Sequence, residues 1–306
     1  MNRHFIRNIA QLAAAILTIV CVCVAAEPVS QFDGVKRIVA VGDVHGDFDR
    51  FAQLLRDAGL IDSTDHWIGG AAHLVQTGDV LDRWPDSKKA MDLLMRIEKE
   101  AAQAGGGVHA LIGNHEAMNM LGDLRYVHDG EIASHGGKEA FVKAMSPSGT
   151  YGGWILSHSC VVRIDDVLFL HGGISPEYSK HPIDTINRTV REELQAGDAE
   201  KAEFCRNPDG PLWYRGYAGE NEPEVCALIR PILERYNVRH VVVGHTVSKE
   251  GIQARCGGAI VMIDVGLSRA YEGVPACLEI KDNAFRVITG AGQAELLPMG
   301  AQGGSP

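Results

Sequence analysis

The sequence has little positive charge for its length. Its 306 residues include 29 Lys and Arg against 39 Asp and Glu, which gives a formal net charge of −10 at pH 7. A general nucleic-acid binder needs a basic surface that displaces the counterions of the phosphate backbone, so we exclude nucleic acid as a partner. A small phosphorylated substrate is still compatible with this charge, because bound metal ions supply positive charge locally.

Internal repeats, a domain linker and C-x-x-C pairs are also absent from the sequence. Without a linker, we expect one domain over residues 27–306. Without C-x-x-C pairs, a structural zinc site built from thiolates is excluded. Hydrophobic residues make up 45% of the chain and charged residues 22%, as in an ordinary globular protein with a proper core.

The N-terminus has the three parts of a secretory signal peptide. Arg3 and Arg7 precede an almost wholly apolar run from Ile9 to Ala26, which ends in small residues before Glu27. This pattern predicts a signal peptide over residues 1–26 and a periplasmic or secreted protein. The alternative is an uncleaved N-terminal anchor, because a run of this length can barely cross a bilayer. In that case the protein would face outside the cytoplasm and contact the membrane through this segment alone.

Export would also permit disulfides. Two of the seven cysteines lie in the predicted signal peptide. The others are Cys160, Cys205, Cys226, Cys256 and Cys277. Because five is odd, at least one of them has no partner within the chain. We expect one disulfide, at most two, and the spacing leaves the pairing open.

Apolar segments alternate with amphipathic ones along the chain, which predicts an α/β fold. Strands are predicted at residues 37–41, 73–77, 108–112, 160–164, 167–170, 239–243, 259–265 and 276–280. Helices are predicted near residues 51–58, 85–97, 183–196 and 224–236. Residues of about 122–154 are more polar and predict a partly helical insertion. The Gly-rich tail of about 290–306 is expected to be loose.

Five short motifs follow the predicted strands, namely GDVHGD at 42–47, GDVLDR at 78–83, GNHE at 113–116, HGG at 171–173 and GHT at 244–246. Each motif alone is an ordinary turn or a capped surface residue. Together they supply six side chains of metal-ligand type, namely Asp43, His45, Asp79, Asn114, His171 and His245. Open α/β sheets gather ligands at the carboxyl ends of their strands, so we expect these side chains to converge.

The chemistry of this set indicates a catalytic metal centre. Carboxylate, imidazole and amide ligands without thiolate suit Mn, Fe or Zn rather than a closed structural zinc site. Six ligands exceed the needs of one catalytic ion, and one carboxylate can bridge two ions about 3.5–4 Å apart. The sequence therefore predicts two divalent metal ions, whose identity the ligands leave open.

The ordered motifs resemble those of the calcineurin-like metallophosphoesterases and, within them, the phosphoprotein phosphatases. The resemblance covers residues of about 37–280. Three longer segments are more specifically similar to the Shewanella-like protein phosphatases, namely GNHEAMNMLGDLRYV at 113–127, GPLWYRG at 210–216 and DVGLSRAYEG at 264–273. The resemblance implies a four-layer α/β/β/α sandwich with the partly helical insertion at the border of the site.

The resemblance also implies a role for each site residue. One metal would be held by Asp43, His45 and Asp79. The other would be held by Asp79, Asn114, His171 and His245, with Asp79 bridging. Catalysis would need His115 to protonate the leaving oxygen and Asp82 to orient that ring. Phosphate would be bound by Arg83, Arg215 and Asn114. The ordinary alternatives are a surface ion pair between Arg83 and Asp82 and a plain loop charge for Arg215.

The predicted activity is hydrolysis of phosphate monoesters by in-line attack of a metal-bridging hydroxide. The predicted substrates are phosphorylated proteins or peptides, with phosphotyrosine as a hypothesis because some Shewanella-like relatives prefer it. One alternative is a hydrolase of dinucleoside polyphosphates or small metabolites on the same scaffold. A lesser alternative is a non-catalytic metal-binding module. The His115–Asp82 pair argues against the module, because metal binding alone needs neither residue.

Overall fold

A computed structural model describes residues 27–299. The predicted signal peptide or anchor, residues 1–26, and residues 300–306 of the tail lie outside the described residues. Within the described range, no helix has the length and apolar character needed to span a bilayer.

The described strands form two six-stranded sheets. In spatial order, the first sheet contains β1 (Gln31–Phe32), β5 (Val161–Ile164), β6 (Val167–Leu170), β7 (His240–Val243), β9 (Ile260–Met262) and β8 (Gln253–Arg255). The second contains β12 (Gln293–Leu296), β11 (Ala284–Gly290), β10 (Cys277–Lys281), β2 (Arg37–Val41), β3 (His73–Gln76) and β4 (Gly107–Ala110). Strands β6, β7 and β9 are parallel, as are β2, β3 and β4. In each sheet, the carboxyl ends of these parallel strands therefore lie side by side.

Helices flank the sheets and border the site. They are α1 (Phe48–Asp57), α2 (Ser87–Gln103), α3 (Asn114–Met120), α4 (Asp129–Ser134), α5 (Lys138–Met145), α6 (Thr150–Ile155), α7 (Ile183–Ala196), α8 (Glu203–Arg206) and α9 (Glu222–Tyr236). The mixed α/β fold with two sheets flanked by helices confirms the predicted fold class. Helices α4, α5 and α6 occupy the segment predicted as a partly helical insertion.

The core is built from strands that are apolar on both faces. Every residue of β6 and β7 is buried, and so is every residue of β2 after Arg37. Val, Ile and Leu dominate these strands, as expected where both faces of a parallel strand are covered. The amphipathic α1 adds Phe51, Leu54 and Leu55 to the core at helical spacing. These buried strands hold the loops at their carboxyl ends in fixed positions.

The tail differs from the prediction. It was expected to be loose from about residue 290, but Gln293–Leu296 form β12, which pairs antiparallel with β11. Residues 293–296 alternate polar and apolar in the sequence QAEL, but all four are exposed, so this short alternation marks no buried face. The strand predicted at 259–265 is also shorter and ends at Met262, because the chain then turns towards the site.

One disulfide joins Cys226 in α9 to Cys256, which begins a short 3-10 turn after β8. The other described cysteines, Cys160, Cys205 and Cys277, are buried and reduced. The prediction of one disulfide with unpaired cysteines is confirmed. Burial raises the pKa of the Cys277 thiol to about 12, so this side chain is an inert core residue.

Candidate metal centre

The six predicted ligands meet where the carboxyl ends of both sheets face each other, and each is exposed by 5% or less. Glycines make this approach possible. A Cβ atom on Gly42 would lie 2.6 Å from the carbonyl oxygen of Ile263, and one on Gly244 would lie 2.5 Å from Asp43 Oδ1. Any larger side chain at either position would push the two sheets apart.

A first group of ligands surrounds His45. Its Nε2 atom lies 3.8 Å from Asp43 Oδ2 and 3.7 Å from Asp79 Oδ2. Burial lowers the pKa of His45 to about 3, so the ring is neutral and offers a lone pair. A neutral imidazole facing two carboxylates forms a site for a cation.

A second group surrounds His171. Its Nε2 atom lies 2.8 Å from Asn114 Oδ1, 3.1 Å from His245 Nδ1 and 3.4 Å from Asp79 Oδ1. Burial lowers the pKa of His245 to about 2, which keeps that ring neutral as well. The two oxygens of Asp79 thus face different groups, with Oδ2 towards His45 and Oδ1 towards His171. This position fits a carboxylate that bridges two cations.

Each of the three ligand imidazoles is oriented by a backbone carbonyl at its other ring nitrogen. A carbonyl accepts and cannot donate, so that nitrogen carries the proton and the lone pair is left for a metal. The carbonyls are those of Leu81 for His45 at 3.0 Å, Thr77 for His171 at 2.8 Å and Trp213 for His245 at 3.1 Å.

Negative charge collects at this centre without a basic partner. The carboxyls of Asp43, Asp79, Glu116 and Asp264 are all buried, and among the described residues no Lys or Arg forms an ion pair with them. Burial, Asp264 and Asp79 raise the pKa of Asp43 well above its usual range, and burial raises the pKa of Asp264 to about 6. Buried carboxylates need compensating positive charge, and divalent metal ions supply it. The donor set therefore fits the predicted metals.

His115 and Asp82, the pair expected to protonate the leaving oxygen, lie beside the candidate metal ligands. His115 Nδ1 is 2.5 Å from Asp82 Oδ2, and Asn119 donates to Asp82 Oδ1 at 3.0 Å and to the carbonyl of His115 at 2.9 Å. His115 Nε2 points towards the centre, 3.8 Å from Asp79 Oδ2. Burial alone would lower the pKa of His115, but the carboxylates of Asp79 and Asp82 outweigh it, and the pKa is raised. The geometry suits a proton donor.

Arg83 does not pair with Asp82, so the alternative of a surface ion pair is wrong. Its guanidinium stacks on Tyr126 with the central carbon 3.7 Å from the ring centroid, and Tyr271 lies 6.0 Å away. The Arg83 Nε atom is buried, and no N–H of the guanidinium is hydrogen-bonded to a described residue. A guanidinium held by an aromatic face is suited to bind an anion through its terminal N–H groups.

Arg215 is hydrogen-bonded to His245, one of the predicted metal ligands. Its Nη1 atom donates to the carbonyl of His245 at 2.7 Å and to Thr246 Oγ1 at 3.0 Å. These bonds fix one edge of the guanidinium and leave its other N–H groups available. Arg215 is thus a positioned cation at the site and not a plain loop charge.

Sequence reasoning missed Glu116, although it belongs to the GNHE motif. Its carboxylate accepts from the backbone N–H groups of Asp79 at 2.8 Å, Val80 at 2.9 Å, Leu81 at 3.3 Å and Gly113 at 2.8 Å. Glu116 therefore fixes the loop that carries Asp79. Its place three residues after the N-cap of α3 is the signal by which it could have been found.

The backbone of the site is strained. Five functional residues have left-handed backbone conformations, with φ of 43° at His45, 56° at Asp79, 73° at Asp82, 69° at Arg83 and 66° at His245. Each such conformation costs roughly 1–2 kcal/mol outside glycine. The surrounding contacts must supply that free energy, which is typical of a site that positions side chains for chemistry.

Comparison with known proteins agrees with this geometry. Residues 36–249 match the family described as calcineurin-like phosphoesterase. Shewanella-like protein phosphatase 2 of Arabidopsis thaliana is 30% identical, over 85% of this chain and 79% of the relative. Shewanella-like protein phosphatase 1 of Plasmodium berghei (strain Anka) is 29% identical, over 85% and 76%. The crystal structure of a cold-active protein-tyrosine phosphatase of a psychrophilic Shewanella species superposes with a TM-score of 0.79 and 31% identity, over 88% of this chain and 83% of that one.

Proposed function

Because the chain belongs to the calcineurin-like phosphoesterase family, where it is similar to the Shewanella-like protein phosphatases, we propose that it is a metal-dependent protein phosphatase. The family predicted from the five motifs is confirmed. One observation carries the proposal above the others. Asp79 lies between two groups of candidate metal ligands, one around His45 and one around His171, and the His115–Asp82 pair faces the same point. A module that only bound metal would need no such pair.

The residues of the site divide the work of phosphate-ester hydrolysis. When bound, divalent cations would lower the pKa of an attacking water and offset the negative charge of the phosphate. Arg83 and Arg215 bind and orient the non-bridging phosphate oxygens. Asn114 is the third residue proposed to bind the phosphate. His115, held by Asp82, transfers a proton from Nε2 to the leaving oxygen. No step requires a covalent bond between the protein and phosphorus.

We also propose that the centre holds two divalent ions, drawn from Mn, Fe and Zn. The bridging position of Asp79 supports the number. The absence of any thiolate from the ligand set supports the choice of metals.

The proposed substrates are phosphoproteins, with phosphotyrosine preferred. The solved Shewanella structure is that of a protein-tyrosine phosphatase, which supports this preference by similarity. The aromatic rings of Tyr126 and Tyr271 beside Arg83 support it by chemistry, since aromatic side chains near the phosphate-binding Arg can contact a phenyl ring.

Export to the periplasm or the medium is proposed as well. The signal-peptide pattern of residues 1–26 and the disulfide between Cys226 and Cys256 both support an oxidising compartment. N-terminal sequencing of the protein recovered from the producing cell distinguishes a mature chain that begins at Glu27 from an uncleaved anchor.

Hydrolysis after chelation and after return of Mn, Zn, Fe or Mg tests the main proposal. The substrates are phosphotyrosine and phosphoserine peptides and a dinucleoside polyphosphate. We expect phosphate release that depends on metal and favours phosphotyrosine. His115→Asn should lose at least about 100-fold in kcat while its metal content is unchanged. Preference for the dinucleotide would refute the protein-phosphatase assignment, and full turnover by His115→Asn would refute the proton donor.

A further inference from the structure

A cavity of about 580 Å³ opens beside the candidate centre. Its lining includes Tyr126 and Arg215, which also belong to the candidate centre, and Arg206, so we call it the Arg206 cavity. Because Arg215 donates to the carbonyl of the predicted metal ligand His245, the cavity and the candidate centre share this residue. A volume of this size is within the range of pockets that bind small ligands or peptide side chains.

Part of the lining of the Arg206 cavity is apolar. Met118 and Leu121 come from the end of α3, and Trp213 comes from the loop before Arg215. The indole N–H of Trp213 donates to the carbonyl of Cys205 at 2.8 Å, which fixes the ring and leaves it no free polar group. An aliphatic or aromatic side chain would therefore be bound here by burial of apolar surface.

The lining also carries an excess of positive charge. Arg206 is exposed, donates to the carbonyl of Ala199 at 2.6 Å and forms no ion pair with any described residue. Arg125 and Asp123 line the cavity too and pair through bonds of 2.9 and 3.0 Å from the Arg125 Nε atom; the pKa of Asp123 is lowered by Arg125 and, to a smaller extent, by Arg206. With Arg215, the lining holds three arginines against the one carboxylate of Asp123, on a chain of net charge −10.

We propose that the Arg206 cavity binds the polypeptide next to the phosphorylated residue and selects substrates with an acidic side chain there. The proposal rests on the proposed phosphatase function and refines its substrate class. The composition of the lining supports it: Arg215 also belongs to the candidate centre, the apolar side chains suit the adjoining segment, and Arg206 is available to pair with a carboxylate. Repulsion by Arg206 disfavours a basic side chain at the same position.

Matched phosphotyrosyl peptides test this, with the three residues on each side of the phosphotyrosine set to Glu or to Lys. The proteins compared are the metal-loaded wild type, Arg206→Glu and the control Arg230→Glu. Arg230 is exposed on α9 and its replacement changes the charge equally. p-Nitrophenyl phosphate, which carries no polypeptide next to its phosphate, reports on the catalytic groups. All three proteins should hydrolyse it within about twofold of each other.

We expect the wild type and Arg230→Glu to favour the Glu peptide by about fivefold or more in kcat/KM, and high salt to weaken this preference. Arg206→Glu should remove or reverse it. Equal rates on both peptides in the wild type, or an unchanged preference in Arg206→Glu, would overturn the inference. In either case, turnover of p-nitrophenyl phosphate would still support the proposed phosphatase function. Loss of turnover on every substrate in the wild type would instead overturn the proposed function, and this inference with it.

Discussion

Glu116→Gln is the substitution that tests most directly how the fold supports its metal centre. Glu116 is 4% exposed, and its two oxygens divide four backbone donors between them. Oε2 accepts from Asp79 and Gly113, and Oε1 accepts from Val80 and Leu81. Gln replaces one oxygen with an NH₂ group that has no lone pair. Two buried N–H groups then lose their acceptor and face another donor.

The magnitude follows from those two groups. A buried N–H left unsatisfied costs about 1–3 kcal/mol, so two of them cost about 2–6 kcal/mol. Burial and the carboxylate of Asp79 raise the pKa of Glu116, which shows that the native charge is itself unfavourable. Because Gln removes that charge, we expect the lower part of this range, a loss of about 2–4 kcal/mol in the free energy of unfolding.

Urea unfolding of the metal-free protein measures this loss. Glu139→Gln is the matched control, because Glu139 is an exposed residue of α5 and undergoes the same chemical change. The control should remain within about 0.5 kcal/mol of the wild type. In Glu116→Gln, the metal concentration needed to restore phosphatase activity should also rise, since Asp79 loses its support. A loss below about 1 kcal/mol, similar to the control, would refute the reasoning.

Three further perturbations probe other parts of the structure. Asn119→Ala removes a hydrogen bond to Asp82, which orients His115, so kcat should fall about tenfold with little change in KM or metal content. An unchanged kcat would show that this hydrogen bond is not needed. The Cys226–Cys256 disulfide joins cysteines that are 30 residues apart, and its reduction should lower the free energy of unfolding by about 3.5 kcal/mol. Chemical unfolding with and without reductant measures this loss. A variant with both Cys226→Ser and Cys256→Ser should show no effect of the reductant. Burial lowers the pKa of His109 to about 3, below the ordinary 6.5. The unfolded chain therefore binds more protons, and stability is lost as pH falls from about 6.5 towards 3. His109→Gln should flatten this loss in unfolding curves recorded at pH 7, 5 and 4, and an unchanged slope would contradict the assignment.

The convergence of the candidate metal ligands was predictable because two local signals coincide at each of them. Asp43 follows an apolar strand and belongs to a residue type that binds metal, and the same holds for Asp79 and His171. Carboxyl ends of parallel strands share an edge, so position along the chain already implies position in space. The sequence could not show which oxygen of Asp79 faces which histidine.

The supporting residues were less predictable because their partners are distant in sequence. Glu116 binds backbone groups that lie 35–37 residues earlier, and no residue near it in the sequence indicates these partners. The pairing of Cys226 with Cys256 depends on how α9 packs beside β8, which spacing alone leaves open. Strand β12 escaped prediction because its alternation of polar and apolar residues covers only four positions, all of them exposed.

The division of the metal ligands between the two sheets has a consequence for how long the protein survives. Asn114 follows a strand of the second sheet and His171 a strand of the first, 57 residues later in the chain. A cation bound by both would close that length of chain into a loop, as a covalent cross-link does. Loss of the cation would then make local opening between the sheets more frequent and expose backbone to proteases. On the proposed metal centre, the supply of metal would therefore affect the lifetime of the protein as well as its rate of turnover.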